Sequence, residues 1–142
     1  MRRWGKFLRL RPAGMLLLVN VMVLVVFIRL SLGLLPFAVL RKMLDHVKSL
    51  RWKWHSHSSP ENAIRMVKAA AQYVPGATCL TQALAVETLY ALRGEAARIC
   101  FGVSHNGAGH DALEAHAWVE SGGKIVIGAP ETGKFTPLVR YR

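Results

Sequence analysis

Two side chains in this 142-residue sequence combine nucleophilic chemistry with a supportive local setting: Cys79 and His116. Cys79 follows Thr78 and opens the segment Cys79-Leu80-Thr81-Gln82-Ala83-Leu84, which reads as the first turn of a helix. Unpaired N–H groups and the helix dipole stabilise a thiolate at that position. A small apolar residue starting a core helix has the same signature, so the cysteine alone decides nothing. Cys100, between Ile99 and Phe101, reads as a structural residue in mid-strand. His116 lies in Glu114-Ala115-His116-Ala117-Trp118-Val119-Glu120, where alternation puts His116, Trp118 and Glu120 on one strand face.

A base of this kind needs a third group to orient it. With Gly122-Gly123 as a two-residue hairpin turn, Ser121 faces Lys124 and His116 faces Ala129, so the orienting group is expected within 128–131. Glu131 is the candidate, as a diagonal neighbour on the face of His116. Gln82, one turn after Cys79, can offer an amide to an oxyanion beside the Cys79 N–H, and Trp118 is the candidate for lining the substrate site. His105, His110 and His116 match no common zinc spacing, so neither metal nor cofactor is expected.

The positioning elements are legible. Ser59-Pro60-Glu61 marks a helix start, with that helix ending near Tyr73 before Pro75-Gly76. Thr78 caps the next helix, which ends at Gly94. The period then changes to two: a strand over 97–103, a hairpin of 114–121 with 124–128, and a last strand over 135–141. Helices followed by an antiparallel sheet make the fold class α+β.

Upstream, Pro12–Ile28 is uncharged and apolar, Arg29 interrupts, and Leu30–Leu40 resumes with Gly33 and Pro36. An apolar segment of this kind must be covered by its own domain, a partner or lipid, and no A-x-A-like site argues for a cleaved signal peptide. Residues 37–54 read as an amphipathic helix. The net charge of +11 concentrates before residue 54, which favours acidic partners or an anionic membrane. Trp52 and Trp54 among basic residues carry no nucleic-acid motif, so no nucleic-acid partner is expected. The chain thus divides into a basic, apolar extension (1–58) and a catalytic core (59–142). Two cysteines without a disulfide pattern suit a reducing cytoplasm, with membrane contact possible through 12–40.

A cysteine at a helix start followed by a histidine on a later strand is the order of papain-like and transglutaminase-like enzymes. The stretches Cys79-Leu80-Thr81-Gln82-Ala83-Leu84-Ala85, Gly94, Ile99–Val103 and Ala115-His116-Ala117-Trp118-Val119-Glu120 resemble the transglutaminase-like cysteine peptidases of lasso-peptide biosynthesis. The resemblance covers roughly residues 59–142. It implies a minimal core in which the nucleophile helix packs on a small antiparallel sheet. It further implies that a leader is removed from a ribosomally made precursor, with Cys79 as nucleophile and His116 as base. The family often has an aspartate about a dozen residues after the histidine; that register falls on Gly128, and no aspartate follows Asp111. The resemblance to the split form of the family implies a separate small leader-binding protein and a partner cyclase. A transglutaminase-like acyl transferase and a non-catalytic membrane-associated adaptor are the alternatives.

Overall fold

A computed structural model of the chain describes residues 12–49, 59–105, 113–129 and 136–140. Four helices precede four strands: α1 (Pro12–Leu34), α2 (Phe37–Ser49), α3 (Pro60–Ala71), α4 (Cys79–Leu92), β1 (Arg98–His105), β2 (Leu113–Ser121), β3 (Lys124–Ile127) and β4 (Thr136–Arg140). The strands form one sheet in the order β3-β2-β1-β4, antiparallel throughout, so the expected α+β class is what the chain adopts.

The helix ends follow local chemistry. The Ser59 side chain accepts from the Asn62 N–H at 3.3 Å, and Pro60 takes the first helical position, where its missing N–H costs nothing. Thr78 occupies the N-cap of α4 without a side-chain capping bond; its hydroxyl lies 3.5 Å from that of Thr81 instead. Gly94 follows the α4 C-cap at φ +77°, the left-handed conformation that ends a helix most cheaply for glycine.

Arg29, which interrupts the apolar run, does not end the helix: α1 runs unbroken through it. A single charge does not stop a helix, arginine being a good helix former, and the guanidinium rests over Gly76 in the turn before α4. The stop comes at Leu35-Pro36, where proline disfavours the helical conformation of the residue before it. The helix over 37–54 is described only to Ser49; Trp52 and Trp54 lie outside the described residues. The apolar extension is covered on one side only. Leu17, Val21, Val25 and Ile28, spaced by three and four, are buried against α3 and α4, while the opposite side of α1 is exposed.

The core is continuous from α1 to the sheet. Leu40 and Leu44 of α2, Ala63, Val67 and Ala70 of α3, and Ala83, Leu84 and Val86 of α4 meet Ile99, Ala117, Val119 and Ile127. Glu87 is the buried charge here, 4 % exposed, and it ties α4 to α2 through Arg41 (2.6 Å) and Lys48 (3.1 Å).

Candidate active site

Cys79 is the first residue of α4, half-buried against the core, and it is a free thiol. Gln82 sits one turn on; its backbone N–H closes the first helical bond to the Thr78 carbonyl at 3.1 Å. The N–H groups of the first turn have no carbonyl a turn before them, so the end of α4 that Cys79 opens has donors to offer. Cys100 is in no disulfide either, but it is 1 % exposed and stands opposite Trp118 in the β1–β2 ladder.

The alternation of β2 is as expected. Ala117 and Val119 join the core cluster, and His116 and Trp118 take the other face. The His116 and Trp118 rings stack with centroids 6.4 Å apart and an interplanar angle of 24°. Trp118 is 4 % exposed and donates its indole N–H to Glu120 at 3.1 Å. That burial makes Trp118 a wall for the imidazole.

The hairpin pairs Ser121 with Lys124 as the two-glycine turn requires, with Gly122 and Gly123 at φ +57° and +76°. A register shift between Val119 and Glu120 then puts Val119 opposite Ile127, one residue later than uniform pairing. The chain beyond Ile127 is thereby re-aimed toward the imidazole. The Gly128 carbonyl oxygen lies 2.8 Å from His116 Nε2. A carbonyl only accepts, so Nε2 carries the hydrogen and Nδ1 of a neutral ring is the unprotonated, basic nitrogen.

Gly128 is itself required by this approach. It sits at φ +73°, and a Cβ there would be 2.7 Å from the Ala117 carbonyl oxygen and 3.2 Å from Trp118 Cα. Sequence reasoning found the register of the orienting group but searched it for a side chain. The backbone carbonyl at Gly128 was missed, although a lone glycine in a strand pattern is a signal of close backbone approach. Glu131, the side-chain candidate, lies outside the described residues, as does His110.

Among the described residues no hydrogen bond joins Cys79 to His116, and no group of three His, Cys, Asp or Glu residues could hold a metal. A cavity lined by Ala96, Arg98, Glu120 and Gly122-Gly123 lies at the hairpin end of the sheet, beyond Trp118 from the imidazole. It contains neither chemical group.

The superfamily of transglutaminase-like proteins, whose members are typically cysteine-dependent enzymes, has a family model that matches residues 22–140. No curated protein matches the chain, and no solved structure does. The match runs from α1 through β4 and contains the helix-opening cysteine, the strand histidine and the glycine that contacts it; the chain belongs to the transglutaminase-like superfamily.

Proposed function

We propose that the protein is a cysteine peptidase that removes the leader from a ribosomally made lasso-peptide precursor. The observation that carries this reading is the state of His116. With Nε2–H donated to the Gly128 carbonyl, a neutral His116 ring has Nδ1 as its proton-accepting nitrogen, in a superfamily whose members are typically cysteine-dependent enzymes. The resemblance of Cys79–Ala85 and Ala115–Glu120 to the lasso-peptide peptidases supplies the substrate class.

Element lengths support the pairing. Ser121 bonds the Ala96 carbonyl at 2.7 Å, which ties the end of β2 to the chain just after α4. A helix of 14 residues is about 21 Å long, the rise of about six strand residues, so α4 laid back along β2 ends level with His116. The last β2–β3 pair is Val119 with Ile127, so His116 lies past the end of that ladder, on the face of β2 opposite Ala117 and Val119. The reading requires the thiol and Nδ1 to close to hydrogen-bond range when substrate is bound, as catalytic contacts often do.

In the reaction Nδ1 takes the Cys79 proton and the thiolate adds to the scissile carbonyl. The Cys79 N–H, with Gln82 nearby, steadies the oxyanion. The C–N bond breaks as the imidazolium returns the proton to the leaving amine, giving a leader thioester. Water, deprotonated by Nδ1, hydrolyses it to the leader carboxylate and the free thiol. In this reading a separate small leader-binding protein delivers the precursor, and a cyclase acts on the new N-terminus.

The superfamily match supports acyl transfer to an amine equally well, and product mass separates the two: a hydrolysed leader or an amide-linked adduct. Cys79→Ala and His116→Ala should each abolish cleavage of the precursor encoded beside this gene, with Cys100→Ser leaving it intact. Undiminished cleavage by Cys79→Ala would end the proposal and leave the adaptor reading.

A further inference from the structure

We infer that α1 lies along an anionic lipid surface, with its exposed apolar strip in the interface and its buried strip still packed on α3 and α4. Leu16 (65 % exposed), Val19 (57 %), Val23 (63 %), Leu30 (59 %) and Leu34 (80 %) follow one another by three, four or seven residues along the side opposite Leu17, Val21, Val25 and Ile28. A monomer in water rarely leaves such a continuous apolar strip uncovered. On α2, Val39, Met43 and Val47 form a second half-exposed strip at four-residue spacing.

Charge selects the occupant. Residues 1–44 contain eight basic side chains and no acidic one: Arg2, Arg3, Lys6, Arg9 and Arg11 before α1, then Arg29, Arg41 and Lys42. A second copy of the chain docked on this strip would bring two such segments together. Either antiparallel or parallel pairing sets basic ends against basic ends, with no carboxylate to offset them. Arg41 is already held by Glu87 and Arg29 packs over Gly76, so anionic headgroups would offset Lys42 and the five basic residues before α1, each nearby Lys or Arg adding about 1 kcal/mol of attraction.

The packing fixes the geometry. The 23-residue helix is long and apolar enough to cross a bilayer by itself. Its inner strip, however, is part of the core that also holds Leu84, Val67 and Ile99, so a spanning α1 would have to leave that core. With its inner strip kept in the protein core, α1 can bring its outward apolar strip to lipid only by lying along the surface.

The test is sedimentation of the full chain with phosphatidylcholine vesicles, plain or with about one-third phosphatidylglycerol. The expected result is binding to the anionic vesicles, about tenfold or more stronger than to the plain ones, released by salt and by alkaline carbonate. Val19→Glu with Val23→Glu should weaken binding by at least about tenfold with an unchanged melting temperature, since both residues are exposed. If that pair unfolds the chain, Val23→Ser serves, with a smaller loss expected. No binding overturns the inference, as do retention after carbonate (a spanning helix) and a salt-stable dimer that Val23→Glu dissociates (a second copy).

Discussion

Replacing Gly128 by alanine perturbs fold and chemistry at one point, and the structure sets the size of each effect. An L-residue held at φ +73° costs about 1 kcal/mol. The added Cβ would stand 2.7 Å from the Ala117 carbonyl oxygen and 3.2 Å from Trp118 Cα, both fixed parts of β2, so β2 and the chain after β3 must separate. Separation stretches the 2.8 Å bond from His116 to Gly128, a loss of about 1 kcal/mol. Together these give about 2–3 kcal/mol, or about 5–10 °C in melting temperature for a chain of this length. Gly123 is the control: it has a similar φ of +76° but open space around it, so Gly123→Ala should cost only about 1 kcal/mol. Calorimetry or a circular-dichroism melt gives the first quantity. Precursor cleavage below the melting transition gives the second, where an imidazole displaced by about 1 Å should cost up to about 100-fold in kcat. Equal melting temperatures for Gly128→Ala and wild type would refute the contact argument. Equal cleavage despite a lowered melting temperature would refute the orienting role of the carbonyl.

Glu87→Leu removes the carboxylate that Arg41 and Lys48 share; with those side chains only 12 % and 15 % exposed, thermal unfolding should show a loss of about 3 kcal/mol. Replacing all three by apolar residues should recover most of it, and a triple variant no more stable than Glu87→Leu would contradict the reading. The backbone N–H of Glu61 and the Ser59 hydroxyl hold the Glu61 carboxyl below its usual range. A depressed folded-state value stabilises above the unfolded value and is lost as pH falls through the folded one, so the melting-temperature advantage over Glu61→Gln should be present at pH 7 and vanish in acid. Burial, with help from the Glu95 carboxylate, pushes the Tyr90 hydroxyl up. Its contribution is intact below the unfolded value and lost as pH rises through the folded one, so Tyr90→Phe should melt less steeply with pH in the alkaline range than wild type.

The parts of this fold that were legible in the sequence rest on local rules. Ser59-Pro60-Glu61, Gly94 and Gly122-Gly123 act within a turn or two of themselves, and the structure puts α3, α4 and the β2–β3 hairpin where those residues direct. Alternation along β2 likewise separates Ala117 and Val119 from His116 and Trp118, because the pleat has a period of two. What was not legible is tertiary. The shift at Val119/Glu120 depends on how β3 seats on β2, and it moves the orienting group from a sought side chain to the Gly128 carbonyl. The place taken by the Arg29 guanidinium, over Gly76 in a turn nearly fifty residues away, is likewise tertiary. Nor could an all-apolar helix reveal which of its sides the core would take, since Leu16 and Leu17 are equivalent as sequence and differ only in what covers them.

The most direct measurement is the alkylation rate of Cys79 by iodoacetamide at neutral pH, followed by mass spectrometry, in wild type and in His116→Ala. If the imidazole and the thiol share a proton, losing His116 should slow modification of Cys79 by about tenfold or more, with Cys100 inert in both proteins. Identical rates at Cys79 would mean that helix and strand never bring the two groups together, and the peptidase proposal would fall with them.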